Sequence, residues 1–291
     1  MNYEVSTEIG SIANYVGYEE AIKLVASAGF KYFDFTMMSL ITRVTKTEIK
    51  KDKSNPLNKI SYKKYLHKLK DIMDEKNIKC NQAHAPFPTY AKNIKKYILK
   101  SIKCAAFLGA KYIIIHPCNN YDYKNNGEIL KKYLKFAKKY NIKICTENMW
   151  NWDDKLNHAV KAACSTVEDF KSTIDYVNDN DLKACLDIGH AEMMYDGTSA
   201  VKMIKELGHD RLKTLHIHDN DKLHDSHEIL FSMNIDFKGI AEALKSINYD
   251  GFLTLECGSY IDNQFKIGNK NIKKLVKDLY NSVIKFRNLF D

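Results

Sequence analysis

The sequence lacks several features that define common protein classes. Its seven cysteines form no Cys-x-x-Cys pair, and no apolar run approaches the ~18 residues of a membrane-spanning helix. The opening stretch MNYEVSTEIG has no basic region followed by an apolar one, so we expect no signal peptide. Several cysteines lie inside apolar runs, where a reduced thiol packs as a small hydrophobe. We therefore expect a reduced, cytoplasmic protein with no membrane segment.

Two further absences restrict the partners. No glycine-rich dinucleotide loop and no Walker-type loop occurs, so neither a nucleotide cradle nor a phosphorylated sugar is indicated. The formal net charge is +9, but its lysines are scattered along helical stretches and never alternate with aromatic residues. This pattern is typical of solvated helix faces and argues against a nucleic-acid partner.

What the sequence does contain is a repeated alternation of short apolar runs and longer amphipathic runs. Eight such units predict a parallel sheet, and eight is the number that closes it into a TIM barrel. An open doubly wound sheet is the alternative, although it places its site at one switch point. At 291 residues we expect a single domain, 1–291. The predicted strands are residues 3–9, 31–35, 78–83, 111–115, 142–146, 182–186, 212–217 and 252–255, and the predicted helices include 18–28, 61–76, 92–108, 128–140, 198–207, 237–247 and 269–289.

Three connections stand out between these elements. Residues 37–59 form a long polar stretch that could be a lid over a site or a loop. A second connection carries Trp150 and Trp152. Ser165 and Glu168 have the spacing of a capping box at the start of the next helix.

The stretch of residues 182–197 is the centre of the functional interpretation. Its apolar strand ends in Asp187, followed three residues later by His190, and Gly189 between them allows a tight turn. A carboxylate and an imidazole at this spacing can converge on one ion. A capping aspartate at a strand-to-helix turn is the simpler alternative.

Most of the other predicted strands end in the same kind of residue. The carboxyl ends of parallel barrel strands open on one face, so we expect these side chains to meet in one basin. A divalent cation would relieve the repulsion among the carboxylates there. Each residue alone has a structural explanation, but together they predict a site. The strand-end residues are His84, His116, Glu147, Asp187, His190, His216, His218, Asp219 and Glu256, with Asp225 and His227 in a following loop.

These residues resemble the xylose-isomerase-like TIM-barrel superfamily, which joins sugar isomerases and epimerases to endonuclease IV. The resemblance covers nearly the whole chain and is specific for the superfamily rather than for one member. The matching motifs are HAPF (84–87), IIIHP (113–117), Glu147-Asn148, LDIGHA (186–191), HIHDN (216–220), Asp225-x-His227 and LTLE (253–256).

In the epimerase-like members, the resemblance implies one divalent ion held by Glu147, Asp187, His216 and Glu256. The two glutamates would also move protons on opposite faces of a sugar, through a metal-stabilised enediolate. Mn²⁺, Mg²⁺ or Co²⁺ suits this oxygen-rich set, and Zn²⁺ is also compatible. The residues expected to contact the sugar are His190, His84, His116, Asp225, His227 and Trp150, although packing explains the tryptophan equally well.

The sequence therefore predicts a metal-dependent sugar isomerase or epimerase with a small-molecule substrate, and it leaves a homo-oligomer open. The alternative is an endonuclease IV-like phosphodiesterase with three zinc ions that acts on abasic DNA. For the additional ligands that this alternative implies, the chain has candidates in His84, His116, His190, Asp225 and His227. Against the nuclease, the residues after Asp187 read IGHAEMM, and the sequence has no arginine-rich loop for bent DNA. Separately, residues 228–236 lack the glycine-rich turn of many superfamily members, so this loop has a different shape. A non-catalytic sugar-binding barrel, or a lyase on the same scaffold, also remains open.

Overall fold

The computed structural model describes residues 3–45 and 47–291. Met1, Asn2 and Lys46 lie outside these ranges, and Lys46 belongs to the stretch 37–59 for which a lid or a loop was expected. The strands are β1 (Val5–Thr7), β2 (Tyr32–Thr36), β3 (Ile41–Arg43), β4 (Ile49–Lys51), β5 (Lys79–His84), β6 (Tyr112–Ile114), β7 (Lys143–Glu147), β8 (Asn151–Asp153), β9 (His158–Val160), β10 (Leu182–Asp187), β11 (Leu212–His216) and β12 (Leu253–Leu255). The helices are α1 (Gly10–Ala28), α2 (Tyr62–Glu75), α3 (Ile94–Leu108), α4 (Tyr123–Ala137), α5 (Val167–Val177), α6 (Ile188–Glu192), α7 (Ala200–Arg211), α8 (Phe237–Ser246), α9 (Gly258–Lys266) and α10 (Ile272–Arg287).

Eight of the strands run parallel and close into a barrel. Six form a continuous sheet in the order β11-β10-β7-β6-β5-β2, and β1 pairs with β12. Two junctions complete the ring: Ile9 N donates to Asp34 O at 3.1 Å, and Ile217 N donates to Thr254 O at 2.9 Å. The predicted (β/α)8 TIM barrel is therefore confirmed, and every strand opens its carboxyl end on the same face.

The helices form because apolar residues recur at helical spacing against the barrel. In α8, Phe237, Ile240, Ala241 and Leu244 are buried, which places them on one face. Asp236 begins the helix, since its side chain accepts a hydrogen bond from Gly239 N at 3.1 Å. Among the described residues, no helix is both long enough and apolar enough to cross a bilayer.

The structure departs from several of the helix predictions. The helix expected at residues 18–28 begins at Gly10, because a kink at Gly17 (φ 78°, ψ 160°) joins an earlier helical turn to it. α9 was not predicted, since Ile261 is its one buried residue and it has no apolar period. The cap of α5 is Thr166, whose hydroxyl accepts from Asp169 N at 3.2 Å, so the predicted Ser165–Glu168 capping box does not form.

Two of the irregular connections contain hairpins beside the barrel mouth. The polar stretch 37–59 includes the antiparallel pair β3 and β4, with Arg43 opposite Ile49. The connection with the two tryptophans forms β8 and β9, with Trp152 opposite Ala159. Both hairpins follow barrel strands at their carboxyl ends, so both can contact a ligand in the mouth.

Candidate metal centre

The residues predicted at the strand ends do gather at the barrel mouth. His84, Glu147, Asp187 and His216 are the last residues of β5, β7, β10 and β11, and Glu256 follows β12 directly. The barrel geometry alone explains why positions so distant along the chain become neighbours.

The four residues of the predicted ligand quartet form what we call the central group: Glu147, Asp187, His216 and Glu256. One ligand atom from each lies within 4.8 Å of the others. His216 Nδ1 is 3.2 Å from Glu147 Oε2 and 3.3 Å from Glu256 Oε2. The Glu147 side chain is 1% exposed whereas that of Glu256 is 16% exposed, so Glu256 faces the open side of the mouth.

A first flanking group consists of His84 and His116, and it shares Glu147 with the central group. The two Nε2 atoms approach to 2.9 Å, and both face Glu147 Oε2, at 3.6 Å for His84 and 3.2 Å for His116. One carboxylate oxygen of Glu147 thus meets imidazole nitrogens from both groups.

A second flanking group consists of His190, His218, Asp225 and His227. Its histidine Nε2 atoms surround Asp225 Oδ1, at 3.5 Å for His190, 3.6 Å for His218 and 3.2 Å for His227. His218 Nε2 is also 3.2 Å from Asp187 Oδ1, which connects this group to the central one. Five residues therefore lie in two further ligand clusters, as the endonuclease IV-like alternative implies, although they were first expected to contact a sugar: His84, His116, His190, Asp225 and His227.

The protonation of these rings follows from their outer contacts. A carbonyl oxygen can only accept, so a ring nitrogen beside one carries the proton and leaves the other nitrogen free for a cation. The Nδ1–H groups of His84, His190 and His227 donate to Ala85 O, Asn148 O and Glu256 O at 2.7, 2.8 and 2.7 Å. When these rings are neutral, their Nε2 lone pairs point into the flanking groups, as those of metal-binding histidines do.

His216 is oriented by a buried carboxylate that the sequence interpretation did not include. Its Nε2–H donates to Asp34 Oδ2 at 3.2 Å, and Gln82 Nε2 donates to the same oxygen at 2.8 Å. Asp34 lies between two phenylalanines of β2, and an acidic residue inside an apolar strand is the signal that could have identified it. This contact turns His216 Nδ1 toward the central group.

The pKa shifts in the cluster follow from burial and from neighbouring charges. Burial favours the neutral acid, but His216 and His116 outweigh it and hold the pKa of Glu147 well below its usual range. Burial likewise opposes the charge on Asp187, yet His190 and His218 lower its pKa to about 2. Burial disfavours the protonated ring of His190, but Asp187 and Asp225 raise its pKa to about 10. Protons on imidazoles thus balance the carboxylates, and a divalent cation can take their place.

The donor set fits metal ions. Several buried polar atoms at the centre have no hydrogen-bond partner within the described ranges, and each belongs to a residue of one of the three groups. A buried carboxylate oxygen without a donor is costly unless a cation accompanies it. These atoms are His116 Nδ1, Glu147 Oε2, Asp187 Oδ2, His216 Nδ1, His218 Nε2 and Asp225 Oδ1.

Two residues in this region have roles other than those expected. Asp219 does not point into the basin, because its carboxylate accepts from Asn220 N, Met233 N and Ile235 N and so holds the following loop. Gly189 lies within α6, and what it provides is space: a Cβ there would lie 2.0 Å from His218 Cε1. The expected cap is nevertheless present, since Asp187 Oδ1 accepts from His190 N at 2.8 Å.

Two cavities of about 560 and 580 Å³ border the centre. Glu8, Ser11 and Thr36 line the first, whereas Trp150 and Trp152 line the second. The ring of Trp150 lies 6.5 Å from that of His190, so it can form the apolar wall that we expected. The two cavities share Met38, Arg43, Phe87, His227 and Glu256.

The sequence profile of the xylose isomerase-like TIM barrel family matches residues 22–278. The chain belongs to this family. A curated relative, the probable endonuclease 4 of Metamycoplasma arthritidis, is 31% identical over 188 residues, which cover 58% of this chain and 63% of the relative. The uncharacterized protein MJ1311 of Methanocaldococcus jannaschii is 28% identical over 232 residues, or 74% of this chain and 71% of that protein.

Solved structures share the fold at lower identity. The IOLI protein with a binding zinc atom superposes with a TM-score of 0.75 at 14% identity, with 99% of both chains covered. A D-tagatose 3-epimerase-like protein gives a TM-score of 0.69 at 20% identity, covering 99% of this chain and 98% of the other. At these identities the likeness establishes the barrel and leaves the reaction to be argued from the site.

Proposed function

We propose that the protein is a metal-dependent phosphodiesterase with a three-ion centre. The observation that carries this proposal is Glu147, whose Oε2 faces His84 and His116 on one side and His216 on the other. Glu147 would thus help to hold an ion in the central group and another in the first flanking group, and the residues of the second flanking group would hold a third. The relationship to a probable endonuclease 4 supports the same chemistry.

The charge of the centre relates the number of bound ions to the charge of the substrate. With neutral imidazoles, the cluster contains the four carboxylates Glu147, Asp187, Asp225 and Glu256. Three divalent ions would outweigh them and attract a phosphate, whereas a single ion would leave the mouth negative and repel one. The ion count therefore selects between phosphoester and neutral-sugar chemistry.

The protein's own contribution is to hold and orient this centre. Asp34 fixes the ring of His216, and main-chain carbonyls fix His84, His190 and His227. Phe87 and Trp150 wall the mouth and reduce its water content, which strengthens the electrostatic contacts there. Divalent ions bound here would supply Lewis acidity toward a phosphoryl oxygen, and they would activate a water molecule as the nucleophile.

A small phosphodiester suits the mouth better than duplex DNA. Among the described residues that line the two cavities, Arg43 is the one lysine or arginine. A nucleic-acid groove tracks many phosphates with many basic groups. We accordingly keep the expectation that nucleic acid is not the principal partner, and the single-domain and cytoplasmic assignments remain predictions.

Sugar isomerisation or epimerisation, which the sequence favoured, is the second candidate. The central group supports it, because its two glutamates and His216 converge as that chemistry requires. Glu147, however, is already contacted by three imidazoles, which makes it less available as a proton-abstracting base. The acid–base roles of Glu147 and Glu256 stay predictions.

Hydrolysis of a simple diester tests the proposal. We expect zinc- or manganese-loaded protein to hydrolyse bis(p-nitrophenyl) phosphate, and the double variant His84→Ala/His116→Ala to lose about 100-fold or more of this activity. His67→Ala is the matched control, because His67 is exposed on α2 and should leave the rate unchanged. An oligonucleotide with one abasic site is assayed in parallel.

The sugar candidate is measured under the same conditions. Incorporation of solvent deuterium into a ketose, without hydrolysis of either phosphodiester, would replace the phosphodiesterase proposal with the isomerase one. Rapid cleavage of the abasic oligonucleotide with slow cleavage of the small diester would overturn our choice of a small substrate.

A further inference from the structure

Arg43 is the one lysine or arginine among the described residues that line the two cavities at the mouth. It is exposed at the end of β3, on the hairpin that follows β2, and it lines both cavities that meet at the metal centre. Its guanidinium lies 4.8 Å from the centre of the Phe87 ring, a cation–π contact that holds it over the cavity. Phe87 in turn packs against His116, with ring centres 4.8 Å apart.

Arginine is rare in this chain, which has 42 lysines and only three arginines: Arg43, Arg211 and Arg287. Lysine therefore supplies the general surface charge. Arg211 forms a two-point ion pair with Asp175, at 3.0 and 2.9 Å. Arg43 forms no ion pair with any residue that the structure describes, so its five N–H donors are available.

We propose that Arg43 binds a second anionic group of the substrate. This group is a phosphate or carboxylate at the end of the substrate opposite the reacting phosphodiester. This inference rests on the proposed function, and it specifies the substrate class further. A guanidinium presents a planar fork that matches these anions in two-point contact, and its aromatic partner keeps that fork oriented.

The geometry places this contact away from the reacting group. Two ring contacts separate the guanidinium from the first flanking group, Arg43 to Phe87 and Phe87 to His116. Arg43 is therefore positioned to select a substrate by its far end and to leave the chemistry at the ions unchanged. The expected kinetic consequence is an effect on KM with little effect on kcat.

A matched pair of chromogenic diesters tests this role. The 5′-p-nitrophenyl phosphodiester of thymidine is compared with the same ester carrying a 3′-phosphate. We expect the native protein to show a KM about 10- to 100-fold lower for the 3′-phosphorylated ester. Arg43→Gln should remove this preference, Arg43→Lys should restore part of it, and kcat should change little in either variant.

Lys50→Gln is the control on the same hairpin. Lys50 pairs with Thr42, and side chains alternate along a strand, so Lys50 lies on the opposite face from Arg43. It should leave the preference intact. An unchanged preference in Arg43→Gln, or an equal loss on both esters, would overturn the proposal.

Failure of the proposed function gives a separate result. If the native protein hydrolyses neither ester, the phosphodiesterase assignment fails, and Arg43 is then judged by calorimetric binding. Zinc-loaded native protein should bind thymidine 3′,5′-bisphosphate more tightly than thymidine 5′-phosphate, and Arg43→Gln should bind both alike. Equal binding of the two nucleotides by the native protein would refute the role of Arg43.

Discussion

The central group and the two flanking groups are built from different chemistry. The central group contains three carboxylates and one imidazole, whereas histidine dominates the flanking groups. Carboxylate oxygens suit Mg²⁺ or Mn²⁺, and imidazole suits Zn²⁺. The central group alone could serve a sugar-converting enzyme with one ion. The flanking groups are what direct the assignment toward phosphoester hydrolysis.

The two kinds of group also differ in how they are connected. Glu147 belongs to both the central and the first flanking group, while Asp187 connects the centre to His218 in the second. Loss of a shared carboxylate should therefore affect more than one ion. Loss of a peripheral residue should affect only its own group.

The largest effect is expected for Glu147→Gln. An amide cannot provide the negative charge that two neighbouring cations share, so we expect the loss of two ions and a decrease in activity of about 100-fold or more. Plasma mass spectrometry measures the number of bound ions, and hydrolysis of the diester measures the activity. Full metal content in this variant would show that Glu147 is not needed to hold ions in the two groups.

Gly189→Ala should disturb the second flanking group most. Its Cβ would lie 2.0 Å from His218 Cε1, so the ring must move or the helix must shift. We expect the loss of one ion and a destabilisation of about 1–3 kcal/mol in chemical denaturation. Gly258→Ala is the control, because its Cβ would meet Ser11 Cβ at an ordinary 3.5 Å.

Asp34→Asn should weaken the central group without removing a ligand. The amide keeps the shape but loses the charge that orients His216 through its Nε2–H. A carboxylate that orients a metal-binding imidazole in this way contributes about 10- to 100-fold to metal affinity. Competition with a zinc chelator measures the metal affinity, and an unchanged affinity would show that the charge of Asp34 is not needed to orient the ring of His216.

Metal binding should release protons near neutral pH. The metal-free pKa of His190 is about 10, because the carboxylates Asp187 and Asp225 outweigh the effect of burial. A cation must displace that proton, so affinity should rise with pH up to that value. Calorimetry in buffers of different ionisation enthalpy counts the protons released, and a count of zero would contradict the assignment of His190 as a ligand.

The same pKa values predict the pH dependence of the metal-free protein. The raised pKa of His190 stabilises the fold fully below its unfolded value of 6.5, and this contribution is lost as the pH rises through about 10. The lowered pKa of Asp187 stabilises the fold above 3.8, and this contribution is lost as the pH falls through about 2. Thermal melts should therefore decline above neutrality without metal.

The barrel could be predicted because its signals are local. Eight apolar runs separated by amphipathic helices leave few other folds, and strand direction places every strand end on one face. The hairpin β3–β4 and helix α9 were missed because neither buries a regular apolar stripe. Their positions depend on packing against the mouth.

The central group was predicted, but the grouping of the histidines was not. Sequence spacing shows that His84, His116, His190 and His227 approach one basin, yet it cannot show which ring nitrogen faces inward. That depends on main-chain carbonyls such as Ala85 O and Asn148 O, which only the folded structure positions. Asp34 and Arg43 act through contacts of the same long-range kind.

Native mass spectrometry of the zinc-loaded chain is the most direct test of the three-ion centre. The structure predicts about three ions for the native protein and about two for His84→Ala/His116→Ala, with His67→Ala unchanged. A single ion in the native protein, retained in the double variant, would contradict the three-ion centre. That result would favour a sugar isomerase or epimerase with one ion.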